Sequence, residues 1–188
     1  MSEKDFINKY LEDFSTLINP NADIISKIIS VRDVMVSAQK SKNKIMIFGN
    51  GGSAAIASHV SVDLTKNAGI RCINFNESDL ITCFANDYGY EKWVEKAVEF
   101  YGDERDVFIG ISSSGSSENI LNGCLAARKK NFSKVITLSG MQAKNPLRQL
   151  GDINLWANSM AYNHIENIHQ VWLLAVVDLI IGNAEYTA

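Results

Sequence analysis

The stretch "IFGNGGSAAIASHVSVDL", Ile47 to Leu64, runs from an apolar strand through a polar glycine turn into a helix. The helix carries His59 and Asp63 four residues apart, so both side chains lie on one helix face. The same grammar returns in "DVFIGISSSGSSENI", Asp106 to Ile120, with serines in place of glycines. Two turns of one kind suggest two sides of one site.

Working outward, the apolar period changes along the chain. "DFINKYLEDFSTLI", Asp5 to Ile18, places Phe6, Ile7, Tyr10, Leu11, Phe14 and Leu17 at helical spacing. A second helical stripe follows Asn19-Pro20, with Ile25, Ile28, Ile29, Val31 and Val34. Short continuous apolar runs then predict strands buried on both faces: Lys44–Gly49, Ile70–Phe75, Asp106–Ser112, Lys134–Gly140 and, more weakly apolar, Asp152–Ala157. Helical stretches separate them: Ser53–Lys66, Tyr90–Tyr101, Ser117–Lys130, a short one over Asn145–Leu150, and the long apolar Ala161–Gly182. Strand–helix alternation predicts an α/β chain with a parallel sheet covered on both faces. In such sheets ligands bind beyond the carboxyl ends of the strands, where both quoted turns would lie.

A chain of 188 residues, 46% hydrophobic, supports one core, and we expect one domain over 1–188. Within it, residues 1–42 form a helical oligomerisation segment and 43–188 the α/β core. A net charge of −3 with mixed signs leaves no basic stripe, which argues against nucleic acid. No run of 18 or more apolar residues that could span a bilayer is expected and the N-terminus is not signal-like, so no membrane is expected and a cytoplasmic location is. Cys72, Cys83 and Cys124 are scattered and read as reduced thiols.

"SSSGSS", Ser112 to Ser117, follows a strand and opens a helix. Free N–H groups and the macrodipole there attract anions, and hydroxyls add donors without any Lys or Arg. "GNGGS", Gly49 to Ser53, lets a ligand approach the backbone. It is neither a Walker A loop nor a complete G-x-G-x-x-G, since Ala54 holds the third glycine's place. His59 and Asp63 can be a base with its partner, two metal ligands, or a surface pair. Glu166 and His169, spaced i, i+3, form with His164 a polar cluster in the last helix that also reads as a polar helix start.

These residues resemble the sugar isomerase (SIS) domain, and more closely the phosphoheptose isomerases. The likeness runs along the whole chain, including "FANDYGYEKWVEKAVE", Phe84 to Glu99. It implies a flavodoxin-like, doubly wound, five-stranded parallel sheet with N-terminal helices. It implies a homotetramer with active sites between subunits, and sedoheptulose 7-phosphate isomerised to D-glycero-D-manno-heptose 7-phosphate through an enediol, toward lipopolysaccharide. Ser112, Ser113, Ser114 and Ser117 would hold the phosphate. Asn50, Gly51, Gly52, Ser53 and Asp87 would line the sugar site. The family's base is a glutamate where this chain has Asp63, one methylene shorter. The family's glutamine and later histidine fall at Glu166 and Leu174, and leucine transfers no proton. The catalytic candidates are therefore Asp63, His59, Glu166 and His169. No cofactor is demanded, although some family members bind zinc, and His59, Asp63 and Glu166 have the donor chemistry for it. The alternative is a non-catalytic SIS protein that binds a sugar phosphate, or a tetrameric partner of a replication initiator.

Overall fold

A computed structural model of the chain describes residues 1–186. Two helices lead, α1 (Glu3–Ile18) and α2 (Ala22–Lys40). The order is then β1 (Ile45–Phe48), α3 (Gly52–Lys66), β2 (Cys72–Ile73), α4 (Ser78–Tyr88), a 3₁₀ turn (Tyr90–Lys92) and α5 (Trp93–Tyr101). It continues through β3 (Val107–Ser112), α6 (Glu118–Lys129), β4 (Lys134–Ser139), α7 (Pro146–Leu150), β5 (Ile153–Trp156) and α8 (Tyr162–Ile181).

All five strands pair in parallel, in the order β2-β1-β3-β4-β5. This is the expected doubly wound, flavodoxin-like α/β sheet. Side chains alternate along each strand, so each strand serves two cores. Ile45, Ile47, Val107, Ile109, Ile111, Ile136 and Leu138 face one layer, where α2, α3 and α8 bury Val31, Met35, Val60, Leu64, Leu173 and Val177. Met46, Phe48, Phe108 and Val135 face the other, against Trp93 and Val94 of α5, Cys124 of α6 and Leu147 of α7. Each fully buried large apolar side chain contributes about 1.5–3 kcal/mol, so neither face can be given up.

The β1–β3 pair carries the site. Its register runs Ile45↔Val107 to Phe48↔Gly110. Asp106, 1% exposed, fastens the end opposite the turns. Its carboxylate accepts from the Lys44 N–H at 2.9 Å, the Asp103 N–H at 2.8 Å and the Lys44 ammonium at 2.5 Å.

Three expectations are corrected. The second strand is two residues rather than six, because Phe75 takes a left-handed φ of 58° and ends the extended run early. The segment between β2 and the Tyr90 turn holds a helix, α4. It buries no residue completely; Leu80, Ile81 and Phe84, at helical spacing, lean on the core from its rim. Finally, α8 is long and apolar enough by composition to cross a membrane. It serves instead as a core helix, burying Ile165, Ile168, Trp172, Leu173, Val176 and Val177 against the sheet. His164 is buried with them, its ring 4.2 Å from that of Tyr10 on α1.

Asp106→Ala removes the only acceptor these hydrogen bonds provide to two backbone N–H groups at the start of β1 and β3. The expected loss is about 3 kcal/mol of stability, read as a lower urea midpoint. An unchanged midpoint would show that the strand register does not depend on this carboxylate.

Candidate functional site

The pairing of β1 with β3 brings the two turns together at the carboxyl edge of the sheet. After Phe48 the chain turns at Gly49 and Asn50, and Gly51, at φ 54°, caps α3. After Ser112 it turns through Gly115, at φ 68°, and Ser117 caps α6. A Cβ at Gly115 would also overlap the Asn145 side chain, which braces the loop's outer side. Asn145 itself is held by donating to the Ser139 hydroxyl and the Gly140 and Gln142 carbonyls, and by accepting from the Arg148 N–H.

A pocket of about 140 Å³ opens between the turns. Asn50 and Ser53 line one side, and Ser112, Ser113, Ser114 and Ser117 the other. Glu166 and Tyr162 of α8 close the mouth. The hydroxyls are pre-arranged: Ser112 Oγ lies 2.9 Å from Ser117 Oγ, and Ser114 Oγ accepts from the Ser116 N–H at 3.2 Å. Ser113 Oγ is buried with no partner, a donor awaiting an acceptor. No Lys or Arg lines the pocket. The lining therefore offers an anion hydroxyls and the N-terminal N–H groups of α6, and no ion pair.

Glu166 packs directly on the α3 start: a Cβ at Gly52 would overlap its carboxylate. Only glycine admits that approach. One turn further along α8 and two turns further along α3, the Gln170 amide donates to His59 Nδ1 at 3.1 Å. His59 then carries its proton on Nε2, 3.2 Å from Asp63 Oδ2. Asp63 also accepts from the Asn67 amide at 3.2 Å. So polar side chains of α3 and α8 flank the groove between the two helices, with Glu166 on Gly52 at one point and Gln170, His59 and Asp63 at another. The imidazole is half-exposed at the groove surface.

The chain belongs to the SIS domain family, whose sequence pattern matches residues 6–140. It is 31% identical over 172 residues to the phosphoheptose isomerase of Sulfurimonas denitrificans, covering 88% of this chain and 87% of that one. It is 35% identical over 169 residues to the probable phosphoheptose isomerase of Thermoplasma acidophilum, covering 86% and 90%. The solved structure of a phosphoheptose isomerase from Francisella tularensis superposes with a TM-score of 0.88 at 29% identity, over 96% of this chain and 98% of that one.

In this SIS chain most of the expected substrate residues meet. Asn50, Ser53, Ser112, Ser113, Ser114, Ser117 and Glu166 line one pocket. Gly51 and Gly52 stand beside it at the start of α3, Gly52 against the Glu166 carboxylate. Asp87 does not join them. It sits at the exposed end of α4, where its carboxylate accepts from Asn86 Nδ2 and the Cys83 thiol. His169 is fully buried rather than in the groove. The 3.6-residue period turns it to the sheet, where Nε2 donates to the Ser139 carbonyl at 3.0 Å. Leu174 packs against the same core. The metal set is not assembled either. Among the described residues no three His, Cys, Asp or Glu side chains gather closely enough for an ion. Glu166 lies at Gly52, while His59 and Asp63 lie further along α3, so these residues as placed do not fit zinc.

Three residues were not anticipated: Gln170, Tyr90 and Asn119. Gln170 is legible, being four residues after Glu166 and so on its face. Tyr90 and Asn119 touch Asn50, and no spacing in the sequence announces that contact.

Burial holds the His169 pKa down at about 4, from an ordinary 6.5, against the opposing pull of the Ser139 carbonyl. The unfolded chain therefore binds this proton below pH 6.5 and the folded chain only near 4. The stability His169 contributes is complete above pH 6.5 and drains as pH falls toward 4. Its size is on the order of 3 kcal/mol. His169→Gln keeps the donor and should flatten the fall in urea-unfolding free energy between pH 7.5 and 4.5. An identical fall in the variant would remove His169 as its source.

Proposed function

We propose that this chain is an aldose–ketose isomerase acting on sedoheptulose 7-phosphate to make D-glycero-D-manno-heptose 7-phosphate. The observation that carries the reading is the single pocket in which the serine loop, Asn50, Ser53 and Glu166 meet. It has the chemistry for a phosphate at one end and sugar hydroxyls beside it. Relatives that cover most of this chain bear the phosphoheptose isomerase name.

The phosphate sits on the serine loop and the α6 N-terminus. The open sugar chain lies in the groove between α3 and α8. From Ser53 to His59 is six residues, about 9 Å of helix, a span that suits an extended seven-carbon chain. That puts C1 and C2 beside His59 and Asp63. Asp63 takes the proton from C1 and returns it to C2, the product being the aldose. Negative charge that grows on O2 meets the His59 imidazole, which carries a proton between O1 and O2. Gln170 holds that ring in one tautomer. Glu166 accepts hydrogen bonds from hydroxyls along the chain. Asp63 is one methylene shorter than the glutamate of the phosphoheptose isomerases, and the half-exposed His59 supplies the adaptability that this needs.

We place the reaction in the cytoplasm, where the unpaired thiols of Cys72, Cys83 and Cys124 are at home. We also propose a homotetramer. Phe6, Ile7 and Leu11 of α1 are each more than half exposed on one helix face, an apolar stripe that another copy of the chain would cover.

The deciding experiment incubates the protein with sedoheptulose 7-phosphate in D₂O and follows deuterium at C1 and aldose formation by NMR. Exchange with product is expected. Asp63→Asn should lower kcat by about 10³-fold with little change in KM. Ser112→Ala with Ser114→Ala should raise KM at least about tenfold. Binding without any exchange would refute the isomerase and leave a sugar-phosphate binder. Light scattering should give four chains, and Phe6→Ser with Leu11→Ser should dissociate them. A monomeric wild type would overturn the tetramer.

A further inference from the structure

We infer that Asn119 and Tyr90 are positioning residues of this site, holding the Asn50 amide so that it faces the ligand as a hydrogen-bond donor. The inference rests on the phosphosugar reading of the pocket and names what orients one of its walls.

Asn50 sits in a turn, outside any helix or strand, where its side chain would otherwise rotate freely. Its amide can accept two hydrogen bonds and donate two. The Tyr90 hydroxyl donates to Asn50 Oδ1 at 2.9 Å, and Asn119 Nδ2 donates to the same oxygen at 2.9 Å. Both lone pairs of that oxygen are thereby used. Asn50 Nδ2 in turn donates to Asn119 Oδ1 at 3.0 Å. One N–H of the amide remains, on a residue that lines the pocket. Asn50 can therefore only donate to what binds there. Its partner is an acceptor oxygen of the phosphate or the sugar.

The two partners come from different elements and are themselves anchored. Asn119 lies in the first turn of α6, two residues after Ser117, and is 3% exposed. Tyr90 opens the 3₁₀ turn after α4, and the neighbouring Glu91 carbonyl accepts from Asn122 Nδ2 at 2.9 Å. Asn119 and Asn122 are three apart on α6, so one helix face holds both the Asn50 amide and the turn that delivers Tyr90. The brace also joins the glycine turn to the helix of the serine loop, which sets the width of the pocket between them.

The test separates positioning from a structural role. Tyr90→Phe removes one hydroxyl from an exposed ring and should raise KM for sedoheptulose 7-phosphate about three- to tenfold with kcat nearly unchanged. Asn119→Ala should do more. In an Asn50→Ala background Tyr90→Phe should have no further effect, because its target is gone. Asn50→Asp keeps the acceptor oxygen for Tyr90 and Asn119 Nδ2 but loses both amide N–H donors, the one given to Asn119 Oδ1 and the free one. It should still fold, with a Tm lowered by the lost Asn119 hydrogen bond, and bind sedoheptulose 7-phosphate at least about tenfold more weakly by calorimetry. Equal effects of Tyr90→Phe in both backgrounds, or full affinity in Asn50→Asp, would overturn the inference. The calorimetric cycle keeps the two readings apart: a wild type that binds but never isomerises sinks the isomerase, while a non-additive cycle in the same protein still upholds the brace.

Discussion

The site depends on one constraint, the in-register parallel pairing of β1 with β3. Chain direction reverses across the sheet at this pair, since β1 leads outward to β2 while β3 leads to β4 and β5. Such a switch point opens a crevice between two helix starts. Here it places Gly49–Ser53 beside Ser112–Ser117, turns some sixty residues apart in the chain. The pair is fastened at both ends by polar side chains. Asp106 ties the start of β1 to the start of β3, and the Asn50–Asn119 amide pair ties the turns beyond their ends. A slip of one residue would turn Ile45 and Ile47 to the wrong core and break both fastenings at once.

The electrostatics of the pocket follow from its lining. Hydroxyls and helix N–H groups replace lysine, and the one carboxylate at the mouth is Glu166. Two like charges 4 Å apart cost about 4 kcal/mol at an effective dielectric of 20. In the proposed function a phosphate would therefore seat deep on the serine loop, away from Glu166, and leave that carboxylate to the sugar hydroxyls. The three histidines divide by burial. His169 is kept neutral in the core by desolvation, and His164 packs with its ring tilted against Tyr10 and Phe14. Only His59 reaches the groove, held between Gln170 and Asp63.

Much of this was legible before any coordinates. The apolar runs at β1, β3 and β4 are hydrophobic enough to declare strands buried on both faces, and the turns after β1 and β3 declare themselves by composition. The weaker elements were not. The strand at Cys72 is cut short by the backbone of Phe75, and α4 carries its helical period on Leu80, Ile81 and Phe84, none of which is fully buried. Spacing also put Glu166 and His169 on one helix as a pair. The helical rotation between them sends one to the pocket and the other into the core.

What the sequence by itself determined was local: the two turns and their donors, the His59–Asp63 pair one helical turn apart, and the loss of the late histidine to Leu174. These are properties of neighbours along the chain, set by helix and strand periodicity. What only the tertiary structure decided was company. That Asn119 and Tyr90 hold Asn50, that Gln170 holds His59, that Glu166 rests on Gly52 and that Asp87 stands apart all depend on which elements lie side by side. Contacts between residues tens of positions apart are fixed by the packing of the sheet and its two cores, and no short-range pattern encodes them.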